Sequence, residues 1–390
     1  MRVVIVGASL AAVRSAESLR MLGFDGQITM IGDEDRYPYD RPPLSKEVLS
    51  RRVEFDEIVL RDTTGLAELD VELLLGKPAT DLDPLDQRVQ VGAEDIAYDH
   101  LIVATGARAR AVSSFENVDG ALLLRTFSDA IAVRDAMDRA EHILVVGAGF
   151  IGSEVASAAC HRGLRTTVLE MAEAPLARAL GGLIGGRLRQ IHADHGSVLR
   201  CGVTVVGPTN PRGVLLADGT AIEADVVILG LGSIPNTEWL AGSGLSVDDG
   251  VLCDTVGRAV GVDRVHAVGD VARWASWRFG DRTRTEHWTA AGDQAQIVAG
   301  DILGRDPGPE PVPYVWSDQF GHRIQIVGRC RPSIDEVAIV RDDPAGFAAI
   351  TGRMGRLASA VTIDDSRQLA IFRRLIARDT SWPDALAATA

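Results

Sequence analysis

The chain has 390 residues, 46% of them hydrophobic and 24% charged, with a formal net charge of -14. That length exceeds what one hydrophobic core usually serves, so two or three domains are expected. The acidic balance argues against a general nucleic-acid binder, which would carry a basic stripe, while leaving room for a small basic patch, and no apolar run reaches the roughly 20 residues that span a bilayer.

In chain order, Val3 to Val6 predicts a strand. Leu10 to Leu22 predicts a helix, with Leu10, Val13, Leu19 and Leu22 at helical spacing and Gly23 as its stop. Ile28 to Ile31 predicts a second strand, completing a βαβ unit. The opening Met1-Arg2-Val3-Val4-Ile5-Val6-Gly7 lacks the basic, apolar and cleavage segments of a signal peptide, and a cytoplasmic protein is expected. The signature returns about 140 residues later: Ile143 to Val146 as strand, Phe150 to Arg162 as helix, Gly163 as stop, Thr166 to Leu169 as strand. Two such units suggest two nucleotide-binding domains. The runs Leu101 to Gly106, Val226 to Gly230 and Val265 to Asp270 each read as a buried strand whose C-terminal end meets a ligand, as in open α/β sheets. The proline-rich stretch between Asp301 and Pro313 reads as a domain boundary. Shorter alternating runs follow (Ile324 to Val327, Val337 to Val340), then a helical tail, predicting a small α+β domain. The four cysteines stand far apart, with no C-x-x-C pair and no metal-ligand spacing, so no disulfide framework, redox dithiol or metal site is expected.

Gly147-Ala148-Gly149-Phe150-Ile151-Gly152 is a full G-x-G-x-x-G. The first glycine permits a tight turn, the second lets backbone approach a pyrophosphate, and the third lets helix pack on strand. The helix start then offers N–H groups to the phosphates. Glu170, 18 residues after Gly152, can accept hydrogen bonds from the adenosine ribose and would repel a 2′-phosphate, favouring NADH over NADPH. The bland alternative is a structural turn with a surface glutamate. In the N-terminal turn, Gly7-Ala8-Ser9-Leu10-Ala11-Ala12, Ser9 and Ala12 replace the second and third glycines, and Asp33 is expected to end the second strand, with Glu34 beside it. Alone, this turn fits a cofactor site or plain βαβ packing equally. Two dinucleotide sites in one chain imply FAD first and NADH second. Gly269-Asp270 adds a carboxylate at a sheet edge for a ribityl hydroxyl, or a plain turn aspartate.

With these residues in hand, the chain resembles the oxygenase-coupled NADH–ferredoxin reductases, over nearly its whole length. Tyr39-Asp40-Arg41-Pro42-Pro43-Leu44-Ser45-Lys46 matches that family's Y-x-R-P-P-L-S-K run. Ala104-Thr105-Gly106, Leu124-Arg125-Thr126, Gly147 to Glu154, Ala267-Val268-Gly269-Asp270 and Trp316-Ser317-Asp318-Gln319 match too. The resemblance implies an α/β, three-domain glutathione-reductase-type fold with two Rossmann-like nucleotide-binding domains and a small α+β C-terminal domain. Its parts would be an FAD domain from residues 1–108 and 233–312, an NADH domain from 109–232, and an interface domain from 313–390. It also implies that Ala11, Asp33, Lys46, Ala79, Arg125, Asp270 and Trp288 contact FAD, with Arg41 near them. Gly7, Ser9, Ala12, Thr105, Gly106 and Gly269 belong to the same expected site. Gly147, Gly149, Ile151, Gly152, Glu170 and Gly232 would line the NADH site. Lys46 and Glu154 would pair beside the isoalloxazine ring, and Trp316 would lie on the route to the partner, with simple packing as its alternative. For Lys46 and Glu154, spacing alone favours an exposed lysine at a helix start and a solvated helix carboxylate.

The implied activity is hydride transfer from NADH to FAD, with Phe150 or Ile151 flanking the nicotinamide, then single electrons to a 2Fe-2S ferredoxin that feeds an oxygenase. The stretch Arg41 to Leu49 lacks the cysteines of the disulfide reductases and NADH oxidases of this fold, arguing against thiol chemistry. Trp288 stands where relatives commonly carry smaller residues. Two other readings share the flavin half: a rubredoxin reductase, and an apoptosis-inducing-factor-like flavoprotein that senses NADH.

Overall fold

A computed structural model describes residues 1–388 apart from 52, 117, 119, 181, 210–211 and 331–334. Two parallel sheets flanked by helices make the protein mixed α/β, as the sequence predicts. The chain divides into two compact units, Met1–Asp40 with Phe55–Arg108 and Ile234–Pro313, and Arg41–Glu54 with Ala109–Ser233 and Tyr314–Ala390.

The first unit is built on five parallel strands in the order Val265–Ala267, His100–Val103, Arg2–Val6, Gln27–Ile31, Val71–Leu74. Val3, Val4, Ile5, Leu101 and Ile102 are fully buried. A parallel sheet covered on both faces needs such continuous apolar runs, and each buried Val or Ile contributes about 1.5–3 kcal/mol of transfer free energy. The helix Leu10–Met21 buries Ala11, Ala12, Val13, Ala16 and Leu19, and packs against the helix Trp288–Ile302. Two small three-stranded sheets complete the unit, one from Ala79–Asp83, Arg88–Val91 and Glu94–Ala97, the other from Val251–Cys253, Ala272–Ser276 and Asp281–Arg284.

The second unit repeats the plan with the order Ser197–Cys201, Arg165–Glu170, His142–Val146, Val226–Leu229, Ala121–Leu122, all parallel. Its helix Phe150–His161 follows the central strand. The segment Arg41–Glu54 packs in this unit: Val48 and Leu49 are fully buried, and Asp138 pairs with both Arg51 and Arg162. The Arg162 guanidinium also donates to the Leu49 carbonyl at 3.3 Å. The C-terminal residues form a five-stranded antiparallel sheet in the order Tyr314–Gln319, His322–Gly328, Arg356–Ile363, Gly346–Arg353, Glu336–Asp343. Helices Ser366–Ala377 and Trp382–Ala387 follow. The first hairpin turns on two residues, Phe320 and Gly321, both with positive φ (53° and 81°), the backbone of a type I′ turn. Phe320 is held there by its N–H, which donates to Ser157 Oγ at 2.7 Å.

Candidate functional site

The two glycine turns are near-copies of each other. Gly7 N–H donates to the Ile31 carbonyl at 2.7 Å, and Gly147 N–H to the Leu169 carbonyl at 2.7 Å. Both glycines have positive φ (123° and 105°). A Cβ on Gly7 would lie 2.1 Å from the Ala104 carbonyl oxygen, and one on Gly147 2.3 Å from that of Gly230. Each turn is thus pinned between its own strand and the strand beside it, where only glycine fits.

The turns differ at their third small residue. A Cβ on Gly152 would meet the Gly147 carbonyl oxygen at 2.0 Å, so this helix lies tight on its turn. In the first turn Ala12 occupies that place, fully buried, so a methyl is accommodated there. At the second position the reverse holds: a Cβ on Gly149 would face open space, the room a ligand's backbone-hugging group requires. The helices that begin at Leu10 and Phe150 are capped by Ser9 and Gly149 with no side-chain cap bond and no acid in the first turn. Their leading N–H groups and partial positive charge are therefore directed at whatever occupies the turn. This donor set fits a diphosphate in each unit.

The expected carboxylates sit differently from one another. Glu170 is the last residue of its strand, and its two oxygens accept the N–H groups of Ala148 (2.7 Å) and Ala172 (2.8 Å). It braces the glycine turn through its bond to Ala148. Asp33 lies two residues beyond its strand, exposed, with Oδ1 accepting the Glu34 N–H at 3.0 Å. Glu34 in turn accepts the Tyr39 hydroxyl at 2.7 Å.

In the first unit, Thr105 and Gly106 follow the strand His100–Val103. Asn236 staples them: Thr105 Oγ1 donates to the Asn236 carbonyl at 2.8 Å, and Asn236 Nδ2 donates to the Thr105 carbonyl at 2.9 Å. Gly269 has φ 74° and its Cβ position is 3.0 Å from the Ala11 methyl, bringing Gly269-Asp270 to the start of the first helix. Its N–H donates to the side-chain oxygen of buried Gln294 at 2.7 Å. Ala79 opens its small sheet and packs on the same core. Trp288 begins its helix with its indole N–H donating to Asp40 Oδ1 at 2.6 Å, and the Arg14 guanidinium lies over its ring at 5.6 Å.

In the second unit, Arg41 Nη1 donates to the Arg125 carbonyl at 2.7 Å, next to the capping box of Thr126 and Asp129. Gly232 has φ 91° and its carbonyl accepts the Arg110 N–H at 2.9 Å. Ile151 is 44% exposed in the first turn of its helix, an apolar surface beside the glycine turn. Trp316 stacks on Tyr314, with ring centroids 5.9 Å apart.

Lys46 and Glu154 are neither exposed nor solvated, contrary to what their spacing alone suggests. Their side chains are 13% and 4% exposed, and Nζ lies 3.1 Å from Oε1. Burial pushes the Glu154 carboxyl above its ordinary range, against the opposing pull of Lys46 and the hydroxyls of Ser317 and Ser45. The sequence reading missed Asn236, Gln294, Ser45 and Ser317. Each is an ordinary polar residue whose partner is far away in the chain. Only Ser45 and Ser317 carried a signal, because each stands inside a family run. The four cysteines are free, and burial raises every one of their pKa values, the condition of unreactive thiols.

Residues 1–295 match the family described as pyridine nucleotide-disulphide oxidoreductase, and residues 314–390 match the reductase C-terminal family. Rhodocoxin reductase of Rhodococcus erythropolis is 34% identical over 385 residues, spanning 97% of this chain and 90% of the relative. The ferredoxin–NAD(+) reductase component of the anthranilate 1,2-dioxygenase system of Burkholderia cepacia is 34% identical, spanning 96% and 93%. Among solved structures, the reductase in the covalent putidaredoxin reductase–putidaredoxin complex superposes with a TM-score of 0.91 at 30% identity, covering 97% of this chain and 93% of that one. With its two matching glycine turns, this chain belongs to the pyridine nucleotide-disulphide oxidoreductase family and carries the reductase C-terminal domain.

Proposed function

We propose that the chain is an FAD-dependent NADH dehydrogenase that delivers single electrons to a 2Fe-2S ferredoxin serving an oxygenase. One observation carries this reading: two uncapped glycine turns of the same construction, one in each unit. The relatives named above support this choice of partner, one being the ferredoxin–NAD(+) reductase component of a dioxygenase system and another a reductase held in complex with putidaredoxin.

FAD, when bound, supplies the conversion between hydride and single-electron chemistry. In the first unit Gly7, Ser9, Ala11, Ala12 and Asp33 would hold its adenylate and diphosphate end, with Ala79, Thr105, Gly106, Gly269, Asp270 and Trp288 along the remainder. Arg41, Lys46, Arg125 and Trp316 are assigned to it from the family resemblance. In the second unit Gly147, Gly149 and Gly152 would seat the NADH diphosphate, Glu170 its ribose, and Ile151 and Gly232 its nicotinamide half. No side chain is asked to act as acid or base on the reacting atoms; the chain's contribution is orientation and a positive charge at Lys46. We divide the chain into an FAD domain (residues 1–108 and 233–312), an NADH domain (109–232) and a C-terminal interface domain (313–390). We place the protein in the cytoplasm; among the described residues no helix is long and apolar enough to cross a membrane.

The test is NADH-dependent reduction of a panel of purified carriers by the yellow holoprotein, followed by absorbance. Preferred turnover with a 2Fe-2S ferredoxin is expected. Preference for rubredoxin, or a long-lived charge-transfer complex with no turnover on any carrier, overturns the reading.

A further inference from the structure

Glu154 lies in the second turn of its helix and is 4% exposed. Three groups meet its carboxylate. Lys46 Nζ is 3.1 Å from Oε1, the Ser317 hydroxyl donates to that same oxygen at 2.6 Å, and the Ser45 hydroxyl donates to Oε2 at 2.5 Å. Ser45, Ser317 and Gln319 are all at most 1% exposed. Gln319 Nε2 donates to Ser317 Oγ at 3.0 Å. An amide NH2 is a donor only, so that bond occupies a lone pair of Ser317 and leaves its one proton for Glu154. An ammonium likewise offers donors alone. Lys46 and Ser317 thus present donors alone to Oε1, and these favour the ionised form. The Ser45 hydroxyl at Oε2 also reaches the Pro42 carbonyl at 3.5 Å and can serve as donor or acceptor. Lys46 is the charged group acting on this site.

We propose that Ser317, on the C-terminal strand Tyr314–Gln319, is a positioning residue: oriented by Gln319, it holds Glu154 as a carboxylate, and Glu154 in turn fixes the Lys46 ammonium. The ionisation of Glu154 depends on this geometry alone. The electron-transfer half rests on the assignment of Lys46 to the flavin. Loss of the Ser317 hydroxyl removes a donor from a buried anion, so Glu154 takes up a proton at higher pH, by about one unit, a tenfold change in proton affinity. Once neutral, Glu154 no longer pairs with the ammonium, which keeps its bond to the Pro42 carbonyl at 3.3 Å.

The experiment is a pH titration of the holoprotein by infrared difference spectroscopy, the Glu154 carboxyl band being the one lost in Glu154→Gln, with the flavin midpoint potential measured alongside. In Ser317→Ala the protonation midpoint is expected to rise by about one pH unit. The potential should become less negative, because neutralising Glu154 leaves the Lys46 charge without its counter-ion, the opposite direction to Lys46→Ala, and Ser317→Thr should restore both. If Ser317→Ala does not fold, Gln319→Leu, which keeps the hydroxyl but frees its orientation, should move both quantities the same way by less. An unmoved protonation midpoint overturns the proposal. A moved midpoint with an unmoved potential overturns its electron-transfer half. A wild-type protein that takes up no FAD defeats the flavoprotein reading itself, while the same titration run on the flavin-free protein still decides the state of Glu154.

Discussion

The side-chain oxygen of Gln294 accepts the backbone N–H of Gly269 at 2.7 Å, joining the helix Trp288–Ile302 to the turn that presents Asp270. Gly269 is buried with φ 74°, a conformation that needs support from outside the turn. Gln294→Leu leaves the N–H without its acceptor. A buried unpaired donor costs about 1–3 kcal/mol, so the expected outcome is a lower melting temperature together with FAD release at dilutions where the parent protein stays yellow. Gln294→Glu keeps an acceptor at the same place and should retain most of the flavin. Fluorescence of released FAD on dilution, read beside thermal unfolding, checks both.

Gly152 and Ala12 occupy equivalent places, yet a Cβ at Gly152 would come within 2.0 Å of a backbone oxygen. Gly152→Ala should therefore displace the second turn and weaken NADH binding by tenfold or more, with FAD content unchanged. The inverse substitution, Ala12→Gly, removes a fully buried methyl and should cost about 2 kcal/mol of stability through lost burial and a glycine placed in a helix. NADH titration of the oxidised holoprotein separates the two effects. Equal NADH affinity in Gly152→Ala and parent would contradict the packing argument.

Glu170, proposed to read the ribose, also accepts two backbone N–H groups. Glu170→Ala should narrow the preference for NADH over NADPH by at least tenfold, since the repulsion of a 2′-phosphate is gone. It should also lower the affinity for NADH itself, because the Gly147 to Gly149 turn loses its brace. A change of preference with undiminished NADH affinity would show that the bracing bonds are dispensable.

The architecture and both turns were legible because each strand, glycine turn and helix signals itself within a window of about 30 residues, the span of one βαβ unit. The Lys46–Glu154 pair was legible only through the family run that carries Lys46. Nothing in local spacing links two residues so distant, and taken singly they read as solvated charges. The seating of Arg41–Glu54 was not legible at all. Its prolines announce a fixed local shape, but the neighbour is chosen by Val48 and Leu49 finding a core and by Arg51 meeting Asp138. Asn236 and Gln294 act on backbone, and a side chain serving a distant peptide group leaves no periodic trace.

Asp301 gives a pH prediction. Burial works against its ionisation, but hydrogen bonds from His266 and Arg258 prevail and hold its carboxyl down at about 2. A carboxylate whose pKa is depressed in the folded state adds stability above its ordinary value near 3.8, and that contribution fades as pH falls towards 2. Asp301→Asn should thus lower stability at neutral pH, and the gap between variant and parent should close as acid is added between about pH 4 and 2. Urea unfolding at several pH values follows this directly. A gap that stays constant across that range would mean the ion pairs of Asp301 contribute nothing.

Neighbouring residues of a strand face opposite ways, and Trp316 and Ser317 are neighbours. The two-residue loop Phe320-Gly321 closes this ribbon with Gln319 directly across from His322, leaving no slack for the strand to slide. A frame shift of one position would drive an indole towards the buried glutamate and turn the hydroxyl out to water. The left-handed backbone at Phe320 therefore keeps the ribbon's two faces from trading places.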